Sequence, residues 1–273
     1  MPQQLGWFLF AVALASCGAA LADEEVKGEY GHLRGRFVYD GEPPEPKPIK
    51  IVGFEKEGLE KLKLVDESLV VNDESHGLAN VVVYLHVATG EAPPAMHPSY
   101  RIATDAPEGE RMKTLRSIDT RFVPHVLLLR TDEILLTTTG DMRRSYNAKL
   151  DFPNNPGYSS TIAPSSEVTY YPRRPERVPG AITDNIYPWM RAWALIQDHP
   201  YMAATDADGR FEIRNIPVGE RTFRIWHEKS GFVSHVKIDD REVAWEKGLT
   251  TLEIRAGETI DLGDVQVPAQ HLE

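Results

Sequence analysis

Metal and acid–base chemistry requires histidine, cysteine and carboxylate side chains in register, and this 273-residue sequence offers few such groupings. Its nine histidines are scattered, and none forms the HExxH-like spacing that holds zinc on one helical face. Asp184, Tyr187 and Met190 could present carboxylate, phenolate and thioether to a metal. Two oxygen donors beside a thioether match no common metal preference, so a repacked loop with its polar side chains exposed is expected there. Met96 and His97 are adjacent in a loop and could hold copper weakly. Asp206-Ala207-Asp208-Gly209 begins like a calcium loop but lacks the third acidic position and the distal glutamate, so it reads as a β-turn. No serine sits in a nucleophile elbow and no glycine-rich phosphate loop is present. Carboxylates are plentiful in an acidic chain, so their pairing identifies no glycosidase. No enzymatic activity is expected. Trp189, Trp193, Trp226 and Trp245 could stack on sugar if exposed, and at least the first three are expected to fill the core.

The elements that would position these residues are strands. Leu33, Phe37 and Tyr39 fall on alternate positions with Arg34 and Arg36 between them, ahead of an Asp40-Gly41 turn and a proline-rich connection. Residues 55–64 suit a short surface helix. Val81–Leu85 is apolar on both alternating faces and predicts a central strand. A long loop is expected from Glu91 to about Arg116, followed by strands from Phe122, at Val126–Leu129 and at Ile134–Thr138. Six prolines between Asp151 and Gly180 leave room only for a short edge strand near Glu167–Tyr171. Met190–Ile196 is a further core strand. Asp208-Gly209 signals a hairpin turn before Phe211 and Ile213, and Asn215–Gly219 a turn before Phe223 and Ile225. Short strands are expected at Phe232–Ile238, Thr251–Arg255 and Val265–Val267. Regular short strands separated by turns argue for β-sandwiches.

Residues 1–22 read as a signal peptide: a short apolar run from Gly6 to Ala15, then Ala20-Leu21-Ala22 before the acidic Asp23-Glu24-Glu25. Leu14-Ala15-Ser16-Cys17 also fits a lipoprotein site in which Cys17 would be lipidated. Either reading exports the protein, and no later segment looks transmembrane. Cys17 is the single cysteine, so the exported chain has no disulfide and no cysteine to bind metal. The net charge of −11 disfavours nucleic acid and anionic lipid as partners.

Several stretches resemble exported bacterial proteins with a cupredoxin-like domain, often labelled methylamine utilization proteins. They are Phe122-Val123-Pro124-His125-Val126 with Thr139-Gly140-Asp141, then Tyr187-Pro188-Trp189-Met190-Arg191-Ala192-Trp193, and Asp198-His199-Pro200-Tyr201. Gly35–Gly41 is similar to that group's opening strand. The stretch Thr205–Phe211, through Pro217 and Gly219 to Trp226-His227-Glu228, resembles a carboxypeptidase-regulatory-like β module. The resemblance implies a copper site of two histidines, a cysteine and often a methionine. Its first histidine position holds Ser145, followed by Tyr146 in place of asparagine; the register from Asp141 to Asn147 is open by a residue or two. The cysteine position holds Asp184, the second histidine position Tyr187, and Met190 alone remains. A blue copper centre needs two imidazoles and a thiolate. With all three strong ligands replaced, no copper and no other cofactor is expected. The resemblance also implies that Trp226 and His227 close a strand, while His125, following Pro124, reads as a hydrogen-bonded structural histidine.

The expected fold is therefore all-β: a signal peptide (1–22), a cupredoxin-like Greek-key β-sandwich (23–198) and a smaller carboxypeptidase-regulatory-like β-sandwich module (199–273). The expected function is that of a secreted or periplasmic, non-enzymatic scaffold or binding module without a blue copper site, engaging a protein or carbohydrate partner in the cell envelope. One alternative is a carbohydrate-binding or accessory module. Another is a copper-handling protein using a Met/His site.

Overall fold

Nearly all regular structure in the computed structural model is extended, as the alternating patterns require. It describes residues 29–53 and 58–272, apart from the side chain of Glu60, so the expected signal peptide and Cys17 lie outside the described residues. The strands are β1 (Tyr30–Asp40), β2 (Val82–Leu85), β3 (Met112–Ile118), β4 (Arg121–Val123), β5 (Val126–Arg130), β6 (Ile134–Thr139) and β7 (Tyr146–Asp151). There follow β8 (Tyr158–Ile162), β9 (Glu167–Tyr170), β10 (Gly180–Thr183), β11 (Arg191–Gln197), β12 (Met202–Ala204) and β13 (Arg210–Pro217). The last are β14 (Gly219–His227), β15 (Gly231–Phe232), β16 (His235–Ile238), β17 (Arg241–Ala244), β18 (Leu249–Ile254) and β19 (Thr259–Pro268).

These strands make four sheets. β13-β1-β19-β16-β17 faces β12-β2-β14-β15, to which β18 is added through β14. Between them lies a core that includes Leu33, Phe37, Val83, Phe223, Ile225, Val265 and Trp245. We call this pair the terminal sandwich. β4-β3-β6-β9 faces β5-β11-β10-β7-β8 over a second core containing Leu115, Phe122, Leu129, Leu150, Ile182 and Ile196, which is the central sandwich.

Sheet membership divides the chain differently from the expected boundary at residue 198. β1 runs parallel to β19, with Phe37 opposite Val265, and antiparallel to β13, with Gly35 opposite Phe211. β2 lies between β12 and β14, with Val83 opposite Ile225. The first two strands thus complete the sandwich of the C-terminal strands, and β3–β11 build the other.

The double-sided apolar pattern of β2 has a structural reason. Val83 and Leu85 enter the terminal core, while Val82 and Tyr84 face a smaller cluster with Val126, Leu195 and Trp226. That cluster joins the outer face of one sandwich to the outer face of the other, so β2 is buried on both sides.

Several local expectations are corrected. The surface helix reduces to one 3-10 turn at Leu59–Leu62, with Leu59 fully buried in the central core; residues 54–57 lie outside the described residues. β3 begins at Met112, inside the expected loop, and pairs in parallel with β6. The proline-rich stretch holds β8 and ends in β10, a strand interior to its sheet, as well as the edge strand β9. Asp208-Gly209 does form a turn, with the Asp206 carboxylate accepting N–H bonds from Asp208 and Arg210. It carries the chain from β12 to β13, which lie in opposite sheets, so it closes no hairpin. The Asn215–Gly219 turn also crosses between sheets, from β13 to β14. Among the described residues no helix is long and apolar enough to cross a membrane.

Candidate functional site

The loop from β10 to β11 carries Asp184, Tyr187 and Met190, and its conformation is set by Asp184. One carboxylate oxygen accepts the backbone N–H of Ile186 at 2.6 Å and of Tyr187 at 2.9 Å, an Asx-type turn that tightens the loop. The other accepts the backbone N–H of Asn147 at 2.7 Å, which ties this loop to the start of β7. Burial raises the Asp184 pKa above the ordinary carboxylate value, against the opposing pull of these three N–H donors. The partners of the carboxylate are all backbone amides.

The expected exposure of the loop's polar side chains is corrected: Asp184 and Tyr187 are buried, at 4% and 3% exposure, while Met190, expected in a core strand, is buried at 2%. Polarity suggests exposure for Asp184; burial is tolerated because three donors replace the lost water. Ser145 is only half-buried, and its neighbour Tyr146 enters the cluster instead. The Tyr146 ring lies 5.4 Å from that of Tyr187, which lies 5.6 Å from Trp189. The Tyr146 hydroxyl donates to the Asp141 carboxylate at 3.2 Å. Asp141 also accepts from the Arg144 guanidinium at 2.7 Å. Burial works to raise the Asp141 pKa, but hydrogen bonds from Arg143 and Arg144 outweigh it and hold the group below its ordinary value. Burial pushes the Tyr146 phenol up to about 12, so it stays protonated at neutral pH and is a poor phenolate ligand.

The other sequence candidates are occupied in structural contacts. The Met96 sulfur accepts from Arg130 at 3.7 Å, and a guanidinium there opposes a second cation. His97 Nδ1 is 2.7 Å from the Ser99 hydroxyl, and its ring packs edge-on against Tyr30. His227 ends β14 at 1% exposure, where burial first of all lowers its pKa to about 4 and keeps it neutral. Trp226 and Trp245 are buried, while Trp189 and Trp193 are half-buried. Trp189 and Trp193 pack against the edges of their clusters rather than filling the core as expected, and Trp245, left open by the sequence, packs on Phe37 inside the terminal core.

Sequence reasoning singled out His125 and the His227-Glu228 pair separately and missed that they meet. His125 Nε2 is 2.7 Å from Glu228, whose second oxygen lies 3.8 Å from the Arg191 guanidinium. His125 precedes β5 and Arg191 opens β11, both in the central sandwich, while Glu228 follows β14 in the terminal one. This contact, at side-chain exposures of 12% and 9%, edges a cavity of about 410 Å³ that is also lined by Thr120, Arg121, Trp189 and Met190. Only tertiary structure brings these positions together; no local spacing announces them.

The fold and these sites define a protein of two β-sandwiches, with a buried carboxylate–aromatic cluster in the central one. No sequence family and no curated protein matches the chain. Among solved structures it is similar to the copper-containing nitrite reductase (NirK) of Thermus scotoductus SA-01, at TM-score 0.28 and 13% identity, over 30% of this chain and 21% of that one. It is also similar to a reduced amicyanin mutant, at TM-score 0.28 and 8% identity, over 42% of this chain and 97% of that one. Amicyanin from Paracoccus versutus gives TM-score 0.25 and 11% identity, over 42% of this chain and 96% of that one.

Proposed function

We propose that this is an exported, non-enzymatic scaffold or binding module of the cell envelope, whose central sandwich is cupredoxin-like and works without copper. The observation that carries the reading is Asp184. Its carboxylate is consumed by three backbone N–H groups, and Tyr146, Tyr187 and Met190 are buried side chains of the central core. Such a cluster gives the loops the rigidity that a metal would otherwise supply, so the sandwich can persist on its apolar core. The strands from β12 onward, with β1 and β2, serve as the carboxypeptidase-regulatory-like module. The step from a filled site to a binding role rests on the analogy of a fold kept after its chemistry is gone.

The test is metal content. The chain from Asp23 is dialysed against a trace-metal mixture and its bound metal measured by elemental analysis. Substoichiometric traces of every metal in a folded protein are the expected result; one equivalent of copper or any other metal would overturn the reading.

A further inference from the structure

The cavity at the junction of the sandwiches has a wall that is incompletely satisfied. Among the described residues, seven buried side-chain polar atoms have no hydrogen-bond partner. Three of them, Thr120 Oγ1, Arg121 Nε and His125 Nδ1, belong to residues lining this one cavity. A buried polar atom left unpaired loses its water without replacement, so a cluster of three points to an occupant that pairs with them. The backbone is strained at the same place. Thr120 is fully buried and sits at φ 54°, a left-handed conformation that β-branched residues rarely adopt. Its carbonyl accepts the Trp189 indole N–H at 3.1 Å, which fixes that half-buried ring as part of the cavity wall.

The unpaired atoms specify complementary chemistry. Arg121 already gives Nη1 to Glu67 at 3.1 Å, and its Nε–H asks for an oxygen acceptor, best an anionic one. Nε2 of His125 is taken up by Glu228, which leaves Nδ1 as the ring atom still to be paired, and a hydroxyl, able to donate or accept, suits it. Thr120 Oγ1 can serve either part. Arg191, half exposed and only loosely shared with Glu228, adds a cation at the wall, and Trp189 offers apolar surface to C–H groups. The volume suits a ligand the size of a monosaccharide.

We propose that this cavity binds a small hydroxylated carboxylate, a sugar acid of the uronate type. The carboxylate meets Arg121 and Arg191, a hydroxyl pairs with His125 Nδ1, and the ring lies against Trp189. The three unpaired atoms are buried, so ligand entry requires small side-chain shifts to bring them into contact. This deepens the binding-module reading and rests on it.

The probes are glucuronate and galacturonate, with glucose lacking the carboxylate and propionate lacking the hydroxyls. Calorimetry and tryptophan emission are followed on the chain from Asp23. Expected are saturable binding of at least one uronate, binding of glucose and propionate weaker by about tenfold or more, and a similar loss in Arg121→Gln or His125→Asn. Two variants at separate positions guard against one of them failing to fold, which circular dichroism reports. Absence of saturable uronate binding by the folded protein overturns the proposal. So does binding that glucose matches, or that both folded variants retain in full. Metal content of the same preparation reads the underlying scaffold separately: a metal-free protein indifferent to uronates overturns the ligand alone, whereas stoichiometric metal overturns the reading beneath it.

Discussion

The backbone N–H of Asn147 donates to the buried carboxylate of Asp184 across 2.7 Å, so a single side chain fastens the start of β7 to the loop between β10 and β11. The other carboxylate oxygen holds the N–H groups of Ile186 and Tyr187. One residue therefore satisfies three amides in two separated segments, and the aromatic cluster packs on the frame it sets.

Replacing Asp184 exposes what that frame is worth. Asp184→Ala leaves the amides of Asn147, Ile186 and Tyr187 without their acceptor, and a stability loss of about 3 kcal/mol or more is expected from unpaired buried donors. Asp184→Asn keeps one acceptor oxygen for the turn but sets an NH2 group against one of the donors, with an expected loss of about 2 kcal/mol. Urea unfolding of the two variants measures both. A loss below half a kcal/mol in Asp184→Ala would refute the structural role.

Acid should weaken the fold through a buried histidine before it does so through carboxylates. His227 has its pKa lowered from 6.5 to about 4, chiefly by burial, with Glu228 pulling it up and His125 and Lys229 pushing it down. Between these values the unfolded chain binds a proton that the folded chain refuses, so stability rises with pH across the window. The contribution is complete above pH 6.5 and lost as pH falls through about 4. Its size is about 3 kcal/mol. Asp184 has the opposite sign: its raised pKa makes the folded chain the better proton binder just above 3.8, so its contribution falls as pH rises there. Urea midpoints measured from pH 7 to pH 4 should decline, and His227→Gln should decline less steeply. Equal slopes in the two proteins would contradict the assignment.

How much of this was legible in the sequence depended on how local each signal was. The double-sided apolar run of β2 and the apolar run of β11 announced central strands, because burial on two faces leaves its mark on successive residues. β10, interior to its sheet, was obscured by its four-residue length and by the prolines before it. The pairing of β1 with β19 carries no local mark at all, since parallel partners lie at opposite ends of the described chain. Asp208-Gly209 disclosed a turn but not its destination: the same backbone geometry can close a hairpin or cross a sandwich, and packing selects between them. At the candidate site, the family resemblance singled out Asp184, Tyr187 and Met190, whereas Tyr146 could be distinguished from Ser145 only by which side chain faces inward.

The crossing turn gives a prediction of its own. Gly209 has φ 77°, and a Cβ added there would run into the Phe37 carbonyl, which accepts the N–H of Leu78 in the same tight packing. Gly209→Ala combines a left-handed backbone with a collision against main chain that cannot rotate away. A loss of about 2–4 kcal/mol is expected. Gly219 also has a positive φ, of 102°, but nothing stands near its would-be Cβ. Gly219→Ala should therefore cost clearly less, and thermal melts of the two variants side by side separate collision from backbone strain.

The same geometry says which substitutions should create a metal site. Met190 and Tyr187 remain packed beside Asp184, and Tyr146 lies against Tyr187 from the facing segment, so these four positions converge while Ser145 stays half-buried outside the cluster. A trigonal copper site needs a thiolate and two imidazoles, with a thioether at longer range. Tyr146→His, Asp184→Cys and Tyr187→His together supply them around the existing methionine. The triple variant should bind about one equivalent of Cu(II) and show the visible absorption of thiolate-to-copper charge transfer. The same variant with Ser145→His in place of Tyr146→His should lack that band, because its imidazole starts outside the cluster. Loss of the Asp184 hydrogen bonds will lower apo stability, so copper is best added during refolding, where binding offsets the deficit. Colour in the Ser145 variant and none in the Tyr146 variant would place the inward position at residue 145 and overturn the register drawn from the structure.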